Sequence, residues 1–209
     1  MSGMAAGSQC DPRFAPYIRS FEQAGLADTE GTVFGLWPEL TLAYLNAGWF
    51  EFAAANGGEP AISQQWGLGR SVLDAIRDPL APFYRRAFQV TLSSGTPWQH
   101  EYECSSPTNL RRFVQHVYPL AGGAGLLVVH SLIVDCPHPR DPDVSEHPVA
   151  GDYVDEHRLV RQCMHCRRVR RNGQRRRWDW IPAWVREPPE NTSHGLCEVC
   201  FRYYYPEYS

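Results

Sequence analysis

The chain has 209 residues, is 43% hydrophobic and 12% aromatic, and carries 20 basic against 23 acidic residues for a formal net charge of −3. That is enough chain for one ordinary domain and a small module, and no apolar run is long enough to cross a bilayer. All of the basic side chains are arginine, and the N-terminus lacks the basic start and apolar core of a secretory signal, so a cytoplasmic, reducing setting is expected.

Residues 1–30 read as a flexible segment with one helix, Pro16–Ala27. Val33–Trp37 and Leu40–Leu45 are short apolar runs joined through Pro38-Glu39, which predicts a hairpin. Asn46 is placed to cap a helix over Ala47–Asn56 that stops at Gly57-Gly58. A loop with Trp66-Gly67-Leu68-Gly69 leads to a short helix near Ser71–Ile76. A longer one follows, about Pro79 to Ser94, in which Leu80, Phe83, Tyr84, Ala87, Phe88 and Leu92 share a face and Gly95 ends the run. Three strands follow: Trp98–Cys104, Leu110–Tyr118 and Gly125–Val134. Along the first, Trp98, His100, Tyr102 and Cys104 alternate with Gln99, Glu101 and Glu103. Gly122-Gly123-Ala124-Gly125 lies between strands and reads as a turn, not a phosphate cradle. No placement of Ser, His and Asp argues for hydrolysis.

The order β-β-α-α-α-β-β-β over about 110 residues resembles a PAS domain. The resemblance covers roughly residues 14–135. It is carried by Tyr44-Leu45-Asn46-Ala47-Gly48-Trp49-Phe50, by Leu68–Ile76, and by Arg111-Arg112-Phe113 and Leu126–His130 in the closing strands. It implies an α+β fold over residues 31–135: a five-stranded antiparallel sheet with helices on one face. It also implies a sensory or interaction role, a small-molecule cavity in many members, and dimerisation through the sheet or an N-terminal helix. The residues placed to meet a cavity ligand are His100 and Tyr102 as hydrogen-bonding groups and Trp49, Trp66 and Trp98 as apolar surface. Ordinary core packing of the same side chains is the simpler alternative. No Cys lies between Cys10 and Cys104, which removes the adduct-forming cysteine of flavin photosensors, and the long helix has no His to hold a haem. The cavity ligand is left unidentified.

Cys136-Pro137-His138-Pro139-Arg140-Asp141-Pro142-Asp143 cannot be helix or central strand and opens a linker over 136–157. The charge changes sign there. Residues 1–150 hold 9 Arg against 15 acids (−6), and residues 151–209 hold 11 Arg against 8 (+3). In the C-terminal part, 158–209, Asn172-Gly173 between Val169–Arg171 and Gln174–Trp178 signals a tight hairpin. Pro182 opens a helix over Pro182–Arg186, stopped by Pro188-Pro189.

This part is dominated by two Cys-x2-Cys pairs, Cys163/Cys166 and Cys197/Cys200. Two such turns supply four thiolates to one ion. Zn²⁺ favours that tetrahedral set, and a site closed by four sulfurs leaves no position for substrate. A redox pair, two disulfides or iron in place of zinc are the alternatives. Such a small module needs the metal for its folding free energy. Ser193 and His194 precede the second pair, His194 being placed to donate to a thiolate or cap the last turn.

The run Cys163-Met164-His165-Cys166-Arg167-Arg168-Val169-Arg170, Trp178, and Ser193-His194-Gly195-Leu196-Cys197-Glu198-Val199-Cys200 is similar to a cysteine-rich tail found after PAS or receiver domains in bacterial signalling proteins. Its usual kinase, cyclase or receiver neighbours are not encoded here. The expected protein is therefore a non-enzymatic, cytoplasmic sensor. A small ligand or a signalling protein is its partner, it is a homodimer, and it has no membrane contact. The rival reading is a nucleic-acid-binding regulator using the nine Arg between Arg158 and Arg177, of which Arg175–Arg177 would be the test.

Overall fold

Short apolar runs punctuated by Asn, Gly and Pro become the strands and helices of the computed structural model, which describes residues 7–23, 25, 29, 31–139, 148–174 and 176–208. In chain order these are β1 (Gln9–Cys10), α1 (Ala15–Gln23), β2 (Thr32–Leu36), β3 (Leu42–Leu45), α2 (Ala47–Ala55) and α3 (Ala61–Gln65). A 3-10 turn at Val72–Ala75 leads into α4 (Ala81–Ser94), and then come β4 (Trp98–Glu103), β5 (Asn109–Pro119) and β6 (Leu126–Pro137). They form one sheet of six strands, ordered β1-β3-β2-β6-β5-β4, and the β1–β3, β2–β3 and β2–β6 pairs are antiparallel. The expected five strands thus gain a sixth, β1. A two-residue strand is too short to show a period in sequence.

Helices cover both faces of this sheet, not one. Successive residues of β2 point to opposite sides. Val33 joins Phe14, Ile18, Ala43, Tyr44 and Leu127 in one buried cluster, which takes in the apolar side of α1. Gly35 makes room there, because a Cβ on it would meet the Phe14 ring at 2.3 Å. Phe34, on the other side, meets Trp49 of α2 edge-on at 5.5 Å and His130 at 5.4 Å. Of the helix expected at Pro16–Ala27, Ile18 is fully buried within the chain, as is Phe14 just before it. Residues 24, 26 and 27 of that range lie outside the described residues.

The chain divides into two compact units, Met1–His100 with Val114–Ser131, and Glu101–Phe113 with Leu132–Ser209. Residues 140–147 of the expected linker lie outside those described. The distal ends of β4, β5 and β6 group with the cysteine-bearing part. Hydrogen bonds accompany this: Glu103 N–H donates to His165 Nε2 at 3.1 Å, and Tyr203 O–H to Glu101 O at 2.8 Å.

In the second unit β7 (Val160–Cys163), β8 (Val169–Arg170), β9 (Trp178–Asp179) and β10 (Thr192–Gly195) form a sheet ordered β10-β7-β8-β9. Two helices, α5 (Pro182–Arg186) and α6 (Glu198–Tyr204), complete it. Tyr153, Val160, Val169 and Ile181 are its core, so the end of the expected linker belongs to the module. The tight hairpin at Asn172-Gly173 is not formed. Strand pairing stops at Arg170↔Trp178 and leaves a wider loop. Asn172 is drawn elsewhere: its N–H bonds Asp152 O at 2.6 Å and its side-chain amide bonds Val154 O at 2.9 Å.

Asn46 ties the first unit together. It is fully buried, and its Oδ1 accepts from Trp49 N–H (3.0 Å), capping α2, and from Val33 N–H (2.9 Å) on β2; its Nδ2 donates to Gly31 O (2.9 Å). Asn46→Ala removes the cap and orphans buried backbone groups, with an expected loss of about 3 kcal/mol in urea unfolding. Asn46→Asp, which keeps both accepted bonds, is expected to lose less.

Candidate metal centre

Parallel pairing of β10 with β7 sets the site. Its register places Gly195 beside Cys163, and Met164 N–H donates to Gly195 O at 2.8 Å. Both Cys-x2-Cys turns therefore leave the sheet from the same end. The first turn closes with Arg167 in the left-handed region (φ 62), its N–H on Cys163 O at 2.9 Å, and its guanidinium on Val185 O at 2.7 Å. Buried Gln162 braces it by donating to Arg167 O and Trp184 O at 3.1 and 3.2 Å. The second turn opens α6, with Cys197 as the N-cap and its Sγ accepting from Cys200 N–H at 3.4 Å.

Cys163, Cys166, Cys197 and Cys200 are all buried, and their ligand atoms lie within 4.8 Å of one another. Cys166 and Cys197 Sγ are 3.9 Å apart, far beyond a disulfide. A tetrahedron with metal–sulfur bonds of about 2.3 Å has edges of about 3.8 Å, so the four sulfurs fit a single ion. A multi-iron cluster would interpose its own atoms and spread them wider. The thiols also perturb one another. A hydrogen bond with Cys166 leads in drawing Cys163 down to about 7, one with Cys163 leads in drawing Cys197 down to about 7, and Cys200 is pushed up, first by Cys163. Such a group releases protons in sequence, and a cation is what allows all four to ionise together.

A second shell surrounds the sulfurs. His165 Nδ1 lies 3.2 Å from Cys200 Sγ, and its Nε2 accepts from Glu103 N–H at 3.1 Å. With Nε2 accepting, the imidazole proton stands on Nδ1 and points at sulfur. Burial, then Arg168, pushes His165 down to about 4, which keeps it neutral. Trp178 packs on the four cysteines, and its buried indole N–H has no oxygen, nitrogen or sulfur acceptor among the described residues. Arg168 pairs with Glu103 at 3.7 Å. A cleft of about 510 Å³ lined by Arg168, Arg176, Trp178, Val199 and Tyr203 reaches three of the cysteines and leaves Cys163 inside. An imidazole facing a thiolate, one of the two contacts expected of His194, is made by His165. His194 lies exposed on β10, outside the sulfur group. The signal was present, a His inside the first Cys-x2-Cys turn, but its partner Glu103 is 62 residues away.

The Arg-rich segment is largely committed to protein groups. Buried Asp179 accepts from Arg171 Nε (2.7 Å), Arg177 Nε (2.9 Å) and Tyr153 O–H (2.9 Å). Asp155 takes Arg161 at 2.9 Å and Arg170 at 4.0 Å. Arg175 lies outside the described residues.

The side chains expected around a cavity are distributed over separate ring contacts. Trp98 and His100 stack at 5.4 Å and 9° and meet Phe83 and Tyr84 of α4. Trp49 meets Phe34, and Trp66 ends α3 as its C-cap. Tyr102 stacks on Phe113 at 5.5 Å in the second unit. His130, beside Phe34, is pushed down to about 4 by burial.

No family model matches the chain, and no curated protein matches it. Among solved structures, the crystal structure of the PAS domain of HTR-like protein from Haloarcula marismortui is similar over 58% of this chain and 96% of that one, with 16% identity and a TM-score of 0.35. Similarity of that degree assigns neither family nor function.

The acids of the second unit make its stability pH-dependent. Burial alone would raise Asp179, but the bonds from Arg177, Arg171 and Tyr153 outweigh it and hold the group below its usual range. Asp155 is held at about 2, chiefly by Arg161. Depressed carboxylates stabilise above their unfolded values near 4, and that contribution is lost as pH falls toward 2. Asp179→Ala is expected to destabilise by about 3 kcal/mol, since it leaves two guanidinia without their shared anion, and to flatten the acid limb of an unfolding-versus-pH curve.

Proposed function

We propose that this chain is a non-enzymatic signalling protein of bacterial type, in which a PAS-like unit senses a small ligand or protein partner and a structural zinc centre shapes the tail that docks or transmits the change. The observation that carries the metal half is the convergence of four buried cysteine sulfurs, all within 4.8 Å of one another and none in a disulfide. Four protein thiolates complete the shell of Zn²⁺, so the ion would supply fold and not a reactive position. Free thiols suit a cytoplasmic setting. The sensor half is supported by the order of β2, β3, α2, α3, the 3-10 turn, α4 and β4–β6. Against the nucleic-acid reading stands the engagement of Arg161, Arg167, Arg168, Arg170, Arg171 and Arg177 with acids or carbonyls of the chain.

Elemental analysis with an absorption spectrum and native mass spectrometry is the test. One zinc per chain and no visible bands are expected; ferrous or ferric thiolate absorption would replace zinc by iron, and a retained mass would reveal a cavity ligand. Cys163→Ser is expected to lose the metal and unfold the tail, because metal binding supplies roughly 10 kcal/mol to such modules. Salt-steep DNA or RNA binding lost on replacing Arg175–Arg177 would instead favour the rival.

A further inference from the structure

β4 ends the six-stranded sheet, so among the described residues one of its edges has no strand beside it. Cys104 N–H, just past its end, donates to Arg111 O at 3.0 Å on the β5 side. Backbone groups alternate along a strand, so those of Glu101 and Glu103 face the open edge. One group of each is taken by a side chain of the C-terminal part. Tyr203 of α6 donates its O–H to Glu101 O at 2.8 Å, and His165 accepts from Glu103 N–H at 3.1 Å. Glu101, Glu103, His165 and Tyr203 all belong to the second unit. The two capping residues are also the ones anchored by the cysteines. His165 sits inside the first turn with Nδ1 on Cys200 Sγ, and Tyr203 is on the helix whose first turn Cys197 and Cys200 form. An open strand edge is a template for pairing, which proteins cover.

We infer that the metal centre is a latch on the open edge of β4: an ion in the four sulfurs holds His165 and Tyr203 over Glu103 and Glu101, and loss of the ion releases both backbone groups. The relay runs metal, Cys200 sulfur, His165 Nδ1–H, His165 Nε2, Glu103 N–H. His165 is thus a positioning residue for the edge and not a ligand. The inference rests on the metal reading above, and metal content is measured independently of the edge.

Amide exchange by NMR on the full chain, with metal content determined for each sample, tests it. In the metal-loaded protein Glu103 N–H should be protected; removing the metal should speed its exchange roughly tenfold or more, the equivalent of one ordinary hydrogen bond, while Cys104 N–H, bonded to β5, stays slow. Two variants separate the latch from general unfolding of the tail. His165→Asn puts an amide donor where Nδ1 stands and cannot reach Glu103, so it should retain metal yet release Glu103. His165→Gln places an acceptor near Nε2 without the sulfur contact, so it should protect Glu103 better than His165→Asn. Unchanged Glu103 exchange on metal removal, or in metal-loaded His165→Asn, overturns the latch, as does equal loss of protection at Cys104. A chain that binds no metal overturns the metal reading itself.

Discussion

The parallel alignment of β7 and β10 is the constraint on which the C-terminal unit depends. Parallel neighbours start and finish at the same ends, so Cys163 and Gly195, side by side in register, deliver their following turns to one place. An antiparallel pairing would have sent the two Cys-x2-Cys turns to opposite ends. Every later feature follows from that direction: the sulfur group, the cap of α6, and the imidazole that reaches from sulfur to Glu103. The ion such a site accepts would in turn secure the strand alignment, since Thr192–Gly195 alone is a short edge.

Charge is handled locally in this molecule. A basic run read by itself suggests an anionic partner outside the chain, yet the acids on either side of it, Asp155 and Asp179, and the distant Glu103 are folded onto it. Asp155 and Asp179 each take two guanidinia, and Glu103 takes Arg168. A buried carboxylate between two arginines and a tyrosine stabilises only as a set, because any member left alone is a desolvated charge. Both kinds of charge therefore become structural, and the positive face presented to solvent shrinks.

What was legible in the sequence were the features with local causes. Asn46 before an apolar run, Pro182 at the start of a helix and two Cys-x2-Cys turns each act within a few residues, and each stands where its chemistry placed it. What escaped depends on distant partners. β1 is visible only through its pairing with β3, the packing of α1 only through the space above Gly35, and the contact of His165 only through Glu103. The Asn172-Gly173 signal was overridden when Asn172 found Asp152 and Val154. Trp98 and His100 were correctly set on one side of their strand, but Tyr102, two residues on, packs in the other unit.

Arg167 shows how a locally unfavourable choice is stabilised by the whole. A left-handed conformation costs an ordinary residue about 1 kcal/mol, and glycine would adopt it freely. Glycine, however, has no guanidinium to reach Val185 O, a carbonyl in the last turn of α5. The arginine thus exchanges backbone ease for a strap between the first knuckle and a helix that carries no cysteine. Because Cys163 and Cys166 lie in the strapped knuckle, an ion that draws their sulfurs together would order α5 with them, and folding of that helix becomes part of what metal capture drives.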